Sequence, residues 1–239
     1  MIVGLDIIMN ENKICFIICV NDELFFNECK RYICWLEVPE GIEVELLEIR
    51  EAKSMAAGYN EGMYGSDAKY KVYMHQDCFI VNKFFIRDVI SIFVHEPGIG
   101  MIGLNGTETL PENGIMWSSP RIPESYELYA GWEEYQYSLE QDGLWEVEGI
   151  DGVLMATQYD IPWREDLFDG WDFYDLSQSL EMRRQGYRVV VPVHNRFWYQ
   201  HDDKPVLSLW NYDKYRRKFI KEYASSLSQN IANGVISSS

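Results

Sequence analysis

Positive charge is scarce in this sequence. Its 239 residues carry 21 Lys and Arg against 38 Asp and Glu, a formal net charge of -17 at pH 7. A protein whose main partner is a DNA or RNA backbone needs a basic surface, and no long Lys/Arg cluster supplies one, so nucleic acid is excluded as the main partner. A small nucleotide is not, because one bound cation and a few backbone N–H groups neutralise a diphosphate locally. Long apolar runs are also missing. Nothing approaches 18 apolar residues without charge, so no integral membrane segment is expected. Met1–Met9 carries Asp6, has no basic segment and is too short for a signal peptide. Paired cysteines are the third absence. Cys15, Cys19, Cys29, Cys34 and Cys78 crowd the first third of the chain without a Cys-x-x-Cys pair. Their odd number suits a reducing compartment, and a cytoplasmic location is expected. Cys15 and Cys19 have a metal-like separation, but zinc ligation there would need non-local partners.

What is present is apolar and aromatic. Hydrophobic residues make up 47% of the chain and aromatics 15%, enough for a substantial core in one α/β domain. The expected division is an N-terminal extension over 1–12, the domain over 13–210, and a C-terminal helix with a frayed tail over 211–239. Lys13–Val20 is a continuous apolar run, the pattern of a central strand buried on both faces. A helix over Leu24–Leu36, a strand over Glu43–Ile49, a helix over Ser54–Met63 capped by Ser54, and a strand over Tyr70–His75 follow. A helix over Lys83–Phe93 comes next, entered through an apolar turn. This alternation is the start of a doubly wound fold with a mostly parallel sheet.

Ile99–Gly106 is strand-like and rich in glycine but lacks the Gly-x-Gly-x-x-Gly spacing of a dinucleotide fold. From Thr107 to Gly149 the alternation is lost in an aromatic-rich stretch, which suits either a packed surface layer or loops that meet planar ligands. Ile150–Thr157 restores a strand. A helix from about Asp175 to Gly186 follows, then a strand over Tyr187–Val193 whose Pro192 suggests an end or an edge. The last helix is expected over Tyr212–Leu227.

The chemistry concentrates where a strand leaves the core. His75 and Asp77 flank Gln76 and point the same way in extended geometry. Two readings fit. The pair can hold a divalent ion, and through it phosphates, or it can form a buried hydrogen bond or cap. His201, beside Asp202 and Asp203, can complete such a site, with Mn²⁺ or Mg²⁺ as the occupant. His95 reads as a surface or capping residue. Asp175 is either an ordinary helix-terminal carboxylate or one aimed at a substrate.

Several segments resemble the glycosyltransferase family 2-like group related to streptomycin-biosynthesis StrF proteins. They are Val20-Asn21-Asp22, Ala52-x-Ser54-x-x-x-Gly58-Tyr59-Asn60, Lys69-Tyr70-x-Val72-x-x-His75-Gln76-Asp77, Gly100-Met101-Ile102-Gly103, Ile150-Asp151-Gly152, Asp166-x-Phe168-x-Gly170-Trp171-x-Phe173-Tyr174-Asp175 and Gly186-Tyr187-Arg188-Val189. The resemblance implies a GT-A fold, a nucleotide-sugar donor, a saccharide or other hydroxyl acceptor, and a divalent cation at the diphosphate. The family's Asp-x-Asp motif falls on His75-Gln76-Asp77, so His75 replaces the first carboxylate and Asp77 is the principal ligand. The Glu-Asp pair that carries the general base in inverting members falls on Tyr174-Asp175, which keeps only the Asp. Asn21, Asp22, Glu23, Glu51, Ala52, Lys69 and Gln76 are implied at the donor nucleotide, and Asp151, Trp171 and Asp172 at the sugar or acceptor. An unperturbed Asp is a weak base, so Asp175 needs a raised pKa or late proton transfer. The alternatives are a silent sugar-nucleotide or glycan-binding module and a metal-dependent phosphohydrolase.

Overall fold

Ile14–Ile18 is buried on both faces, as its unbroken hydrophobicity requires, and the two helical layers close on it. A computed structural model describes residues 9–122, 125–129, 132–136, 143–193, 198–202 and 209–227; for 125–129 and 132–136 only the backbone is described. His194 and Asp203 lie outside the described residues.

The run belongs to β1 (Asn10–Val20), followed by α1 (Glu23–Trp35), β2 (Glu43–Arg50), α2 (Met55–Gly65) and β3 (Ala68–Met74). β2 and β3 both pair with β1 in parallel. Successive β1 side chains face opposite ways. Ile14, Phe16 and Ile18 join Phe26, Cys29 and Ile33 of α1, whereas Cys15 and Ile17 join Ala56, Tyr59 and Met63 of α2. Both helices begin at side-chain caps, the expected Ser54 for α2 and Asp22 for α1. Asp22 accepts from Leu24 N and Phe25 N, and Ser54 Oγ accepts from Ala57 N.

Next come β4 (Cys78–Ile80), α3 (Phe85–His95), β5 (Ile99–Gly103), β6 (Gly106–Thr107), β7 (Arg121–Ile122), β8 (Ser125–Tyr129), β9 (Trp132–Gln136) and β10 (Gly143–Glu146). The chain continues through β11 (Gly149–Ile150), β12 (Leu154–Thr157), α4 (Tyr174–Arg184), β13 (Arg188–Val193), β14 (Tyr199–Asp202) and α5 (Tyr212–Tyr223). The central sheet has the order β10-β13-β5-β12-β3-β1-β2. It is mixed rather than mostly parallel as expected: β12 is antiparallel to β3 and β5, and β10 to β13, while the other neighbours are parallel.

Three further features differ from the sequence expectation. The apolar segment after Asp77 is a strand rather than a turn. Cys78, Phe79 and Ile80 are fully buried, and β4 joins an antiparallel sheet of order β4-β14-β9-β8. The strand expected over Ile150–Thr157 is broken at Asp151, whose Oδ1 accepts from Val153 N in a turn. Thr107–Gly149 holds several short strands. β13 is flanked by β10 and β5, so of the two expectations for Pro192 it is the end that holds: the strand stops at Val193, and the β5 ladder already stops at Val190.

Helix α5 packs Tyr215, Phe219 and Tyr223 onto Phe168, Phe173 and Leu180, bringing the C-terminal region against the start of α4. Among the described residues, no helix is long and apolar enough to cross a membrane.

Candidate active site

The carboxyl ends of β1, β2 and β3 open into a cavity of about 250 Å³, where α/β sheets place ligands. Its lining includes Asn21, Glu51, Ala52, His75, Gln76, Asp77 and Trp171. Gln76 fastens two of the strand ends together: its Oε1 accepts from Asn21 N and Asp22 N, both at 2.9 Å, and its Nε2 donates to Asn21 Oδ1. Trp171 reaches the opening because Met55 N, at the start of α2, donates to Gly170 O at 3.0 Å. Glu51 has φ 56° and Phe173 φ 64°, the two non-glycine residues with left-handed backbone among those described, and they stand beside the pocket and before α4. Such strain persists only where the surroundings enforce it.

His201 arrives by a different route. β14 pairs with β4 so that His201 stands opposite Cys78, and Asp202 N donates to Asp77 O at 3.0 Å. His75, Asp77 and His201 thereby place one ligand atom each within 4.8 Å of the others. His201 Nε2 lies 3.3 Å from Asp77 Oδ1, and His75 Nδ1 4.0 Å from the same oxygen. Burial, reinforced by His201, lowers the His75 pKa to about 4. Burial opposes ionisation of Asp77, but the His201 hydrogen bond and the two imidazoles outweigh it and leave its pKa lowered. A neutral imidazole and an ionised carboxylate are the forms that ligate a cation, so the donor set fits a divalent metal. His75 Nε2 is engaged elsewhere, 2.6 Å from Tyr174 Oη.

Asp175 lies in the first turn of α4. Its Oδ2 accepts from Gly152 N at 2.9 Å and its Oδ1 from Leu176 N at 2.8 Å. Burial first, then the charge of Asp151, raises its pKa to about 7 despite those two amides. This is the proton affinity that a base working near neutrality needs. The Asp151 turn also touches the metal-type cluster, since Val153 O accepts from His75 N at 3.0 Å.

Residues 15–223 match the model of the family described as "Glycosyltransferase like family". The chain belongs to that family. No curated protein matches the sequence closely enough to count as a relative. Among solved structures, TarS 1–349 of S. aureus in complex with UDP aligns with a TM-score of 0.55 at 10% identity, over 90% of this chain and 66% of that one. The mannosyltransferase PcManGT from Pyrobaculum calidifontis, in complex with GDP-Man and Mn²⁺, aligns with a TM-score of 0.55 at 12% identity, over 92% and 66%. A mutant of Drosophila β1,4-galactosyltransferase 7, in complex with manganese, UDP-Gal and xylobiose, aligns with a TM-score of 0.50 at 10% identity, over 86% and 79%. This family member therefore has the GT-A fold, an α/β architecture with a large mixed central sheet. It spans just under two thirds of the first two structures.

The remaining sequence-predicted residues of this glycosyltransferase-like chain are not in the pocket lining. Asp22 caps α1, and Glu23 pairs with Arg50 at the end of β2. Asp172 is half-buried, and burial raises its pKa. Lys69 is not brought to the pocket. It lies at the opposite end of β3 from His75, roughly 20 Å along the strand, beside Glu11 at 3.8 Å and over the Tyr159 ring. Sequence reasoning missed Tyr174 as the partner of His75 and Gly152 as the amide on Asp175. The adjacency of Tyr174 to Asp175 was the only available signal for the first.

Proposed function

We propose that this family member is an inverting glycosyltransferase that moves a sugar from a nucleotide-diphosphate donor to a hydroxyl acceptor. The order of its motifs further supports kinship with the StrF-related members. The observation that carries the reading is the junction of two features: a three-ligand cluster, two of whose members line the pocket at the strand ends, and a carboxylate of raised pKa at the head of the adjoining helix. Nucleotide-sugar complexes of GT-A relatives, two of them with manganese, support the donor class.

Asp175 accepts the acceptor hydroxyl proton as the oxygen bonds to the anomeric carbon; the C–O bond to the diphosphate breaks and its electron pair leaves on the diphosphate oxygen. His75, Asp77 and His201 would hold Mn²⁺ or Mg²⁺, which supplies positive charge against the leaving group. Asn21, Glu51, Ala52 and Gln76 border the nucleotide, with Asp22 and Glu23 fixing the strand and helix ends behind them. Trp171 forms a wall for the sugar, while Asp151 and Asp172 flank the acceptor side. Five free thiols suit a reducing, cytoplasmic setting.

The deciding experiment is calorimetric titration with UDP, GDP and dTDP, with and without Mn²⁺, on the native protein and D77A. Metal-dependent binding of one nucleotide, lost in D77A, is expected and names the donor base. No binding to the folded protein under any condition would sink the reading. Donor binding without transfer or hydrolysis across a broad acceptor screen would identify a silent binding module, and phosphate release without sugar transfer a phosphohydrolase.

A further inference from the structure

We propose that Tyr174 is a positioning residue for the cation site: its hydroxyl occupies His75 Nε2, so that His75 meets a divalent cation through Nδ1. The inference rests on the reading of His75, Asp77 and His201 as cation ligands. The resemblance implies the Glu of a Glu-Asp pair at Tyr174 and the first Asp of Asp-x-Asp at His75. The two departures meet in one hydrogen bond, 2.6 Å from Tyr174 Oη to His75 Nε2, across 99 residues of sequence.

An imidazole ligates with one nitrogen while the other carries the proton and needs its own partner, which fixes tautomer and ring orientation. With Nε2 engaged by Tyr174, the remaining nitrogen is Nδ1, which faces Asp77 Oδ1 at 4.0 Å; His201 Nε2 approaches the same oxygen at 3.3 Å. In the ligated arrangement Nε2–H donates to the Tyr174 oxygen.

Core packing accounts for the ring of Tyr174 but not for its hydroxyl. The ring is buried against Tyr59 and Trp163, with centroids 5.8 and 6.3 Å away. Phenylalanine would fill that space equally well. Room for the hydroxyl is kept by Gly152, where a Cβ would lie 2.2 Å from Tyr174 Oη. Tyr59 provides a matched contrast. It belongs to the same cluster, and its buried hydroxyl has no hydrogen-bond partner.

The test compares native protein, Y174F and Y59F in two measurements. Mn²⁺ uptake, followed by the loss of the free-ion paramagnetic resonance signal, is expected to weaken ~10- to 100-fold in Y174F, the usual cost of removing a ligand's outer partner, and to stay unchanged in Y59F. Nitrogen-15 spectra of His75 in the metal-free protein are expected to show a displaced Nε2 resonance in Y174F and none in Y59F. A structural role for Tyr174 would not move that resonance selectively. Native-like Mn²⁺ affinity in a folded Y174F, or an unchanged Nε2 resonance, overturns the proposal. Failure of the native protein to take up Mn²⁺ overturns the cation reading together with the ligand role, an outcome distinct from equal binding by native protein and Y174F.

Discussion

Asp151 and Asp175 are two carboxylates held around a single turn, and the charge of the first raises the proton affinity of the second. Gly152, next to Asp151, donates its amide to Asp175 Oδ2 at 2.9 Å. Burial and Asp151 together prevail over that amide and the one from Leu176, bringing the Asp175 pKa to about 7. The sign of the pH effect follows. If Asp175 is the base proposed above, a pKa raised to about 7 leaves it protonated below neutrality and ionised above, so transfer should rise with pH through neutrality and level off. The rate should fall roughly tenfold per pH unit on the acid side. D151N removes the neighbouring charge and should move the acid limb to lower pH. D175N should retain donor binding and lose ~100-fold or more of turnover. Turnover of D175N equal to the native rate would remove Asp175 from the mechanism.

Gln76 gives a second prediction, because one side chain bridges the ends of β3 and β1. Its Oε1 accepts two backbone amides, from Asn21 and Asp22, and α1 starts at Glu23. Q76A leaves those amides without their acceptor and should cost about 1–2 kcal/mol of stability, with weaker nucleotide binding. Q76E keeps an acceptor but loses the donor to Asn21 Oδ1, so it should fall between Q76A and native. Urea denaturation and nucleotide calorimetry measure the two effects. Native values for Q76A in both would show that the bridge is not needed.

Trp171 gives a third prediction, through its place in the pocket lining. The residue is 51% exposed and lines the pocket from the loop before α4, together with residues at the β1 and β3 ends. If it walls the sugar, W171A should weaken binding of the sugar nucleotide by about 1–2 kcal/mol, the scale of ring burial at ~25 cal/mol per Å², while the free nucleoside diphosphate binds as before. W171F should recover part of the loss. Equal weakening for both ligands would move Trp171 to the nucleotide instead. Because the side chain is exposed, global stability should change by about 0.5 kcal/mol or less.

The parts of this site legible in the sequence were those set by local pattern. The buried run of β1, the Ser54 cap, and the strand ending at the His75-Gln76-Asp77 triplet all follow from periodicity and capping chemistry, whereas Asp22, implied at the nucleotide, turns out to cap α1. What was not legible depended on distant partners. A three-residue strand such as β4 carries no period of its own. It became a strand by pairing with β14, about 120 residues later, and that pairing delivers His201 to Asp77. The Tyr174–His75 bond and the raised pKa of Asp175 likewise arise from tertiary proximity. Lys69 shows the converse: adjacency to a motif in sequence does not put a side chain at the same end of a strand.

The burial of Lys71 yields the last prediction. It is fully buried in β3, with Nζ 2.8 Å from both oxygens of Asp160 and 2.9 Å from Ala68 O. The pair is asymmetric, because the Asp160 side chain remains 28% exposed while that of Lys71 is 0% exposed. Removing either partner therefore has unequal consequences. D160A strands an ammonium in the sheet with only the Ala68 carbonyl and the Met9 thioether beside it among the described residues, and should destabilise by about 3–5 kcal/mol, the scale of an uncompensated buried charge. K71M keeps the length of the side chain and leaves a carboxylate that can turn to water, so its loss should be under half of that. In K71M/D160A neither charge is left stranded, and the double variant should be more stable than D160A alone. Urea denaturation of the four proteins measures the cycle. Equal losses for D160A and K71M, or no recovery in the double variant, would show that the ammonium finds other solvation inside the sheet.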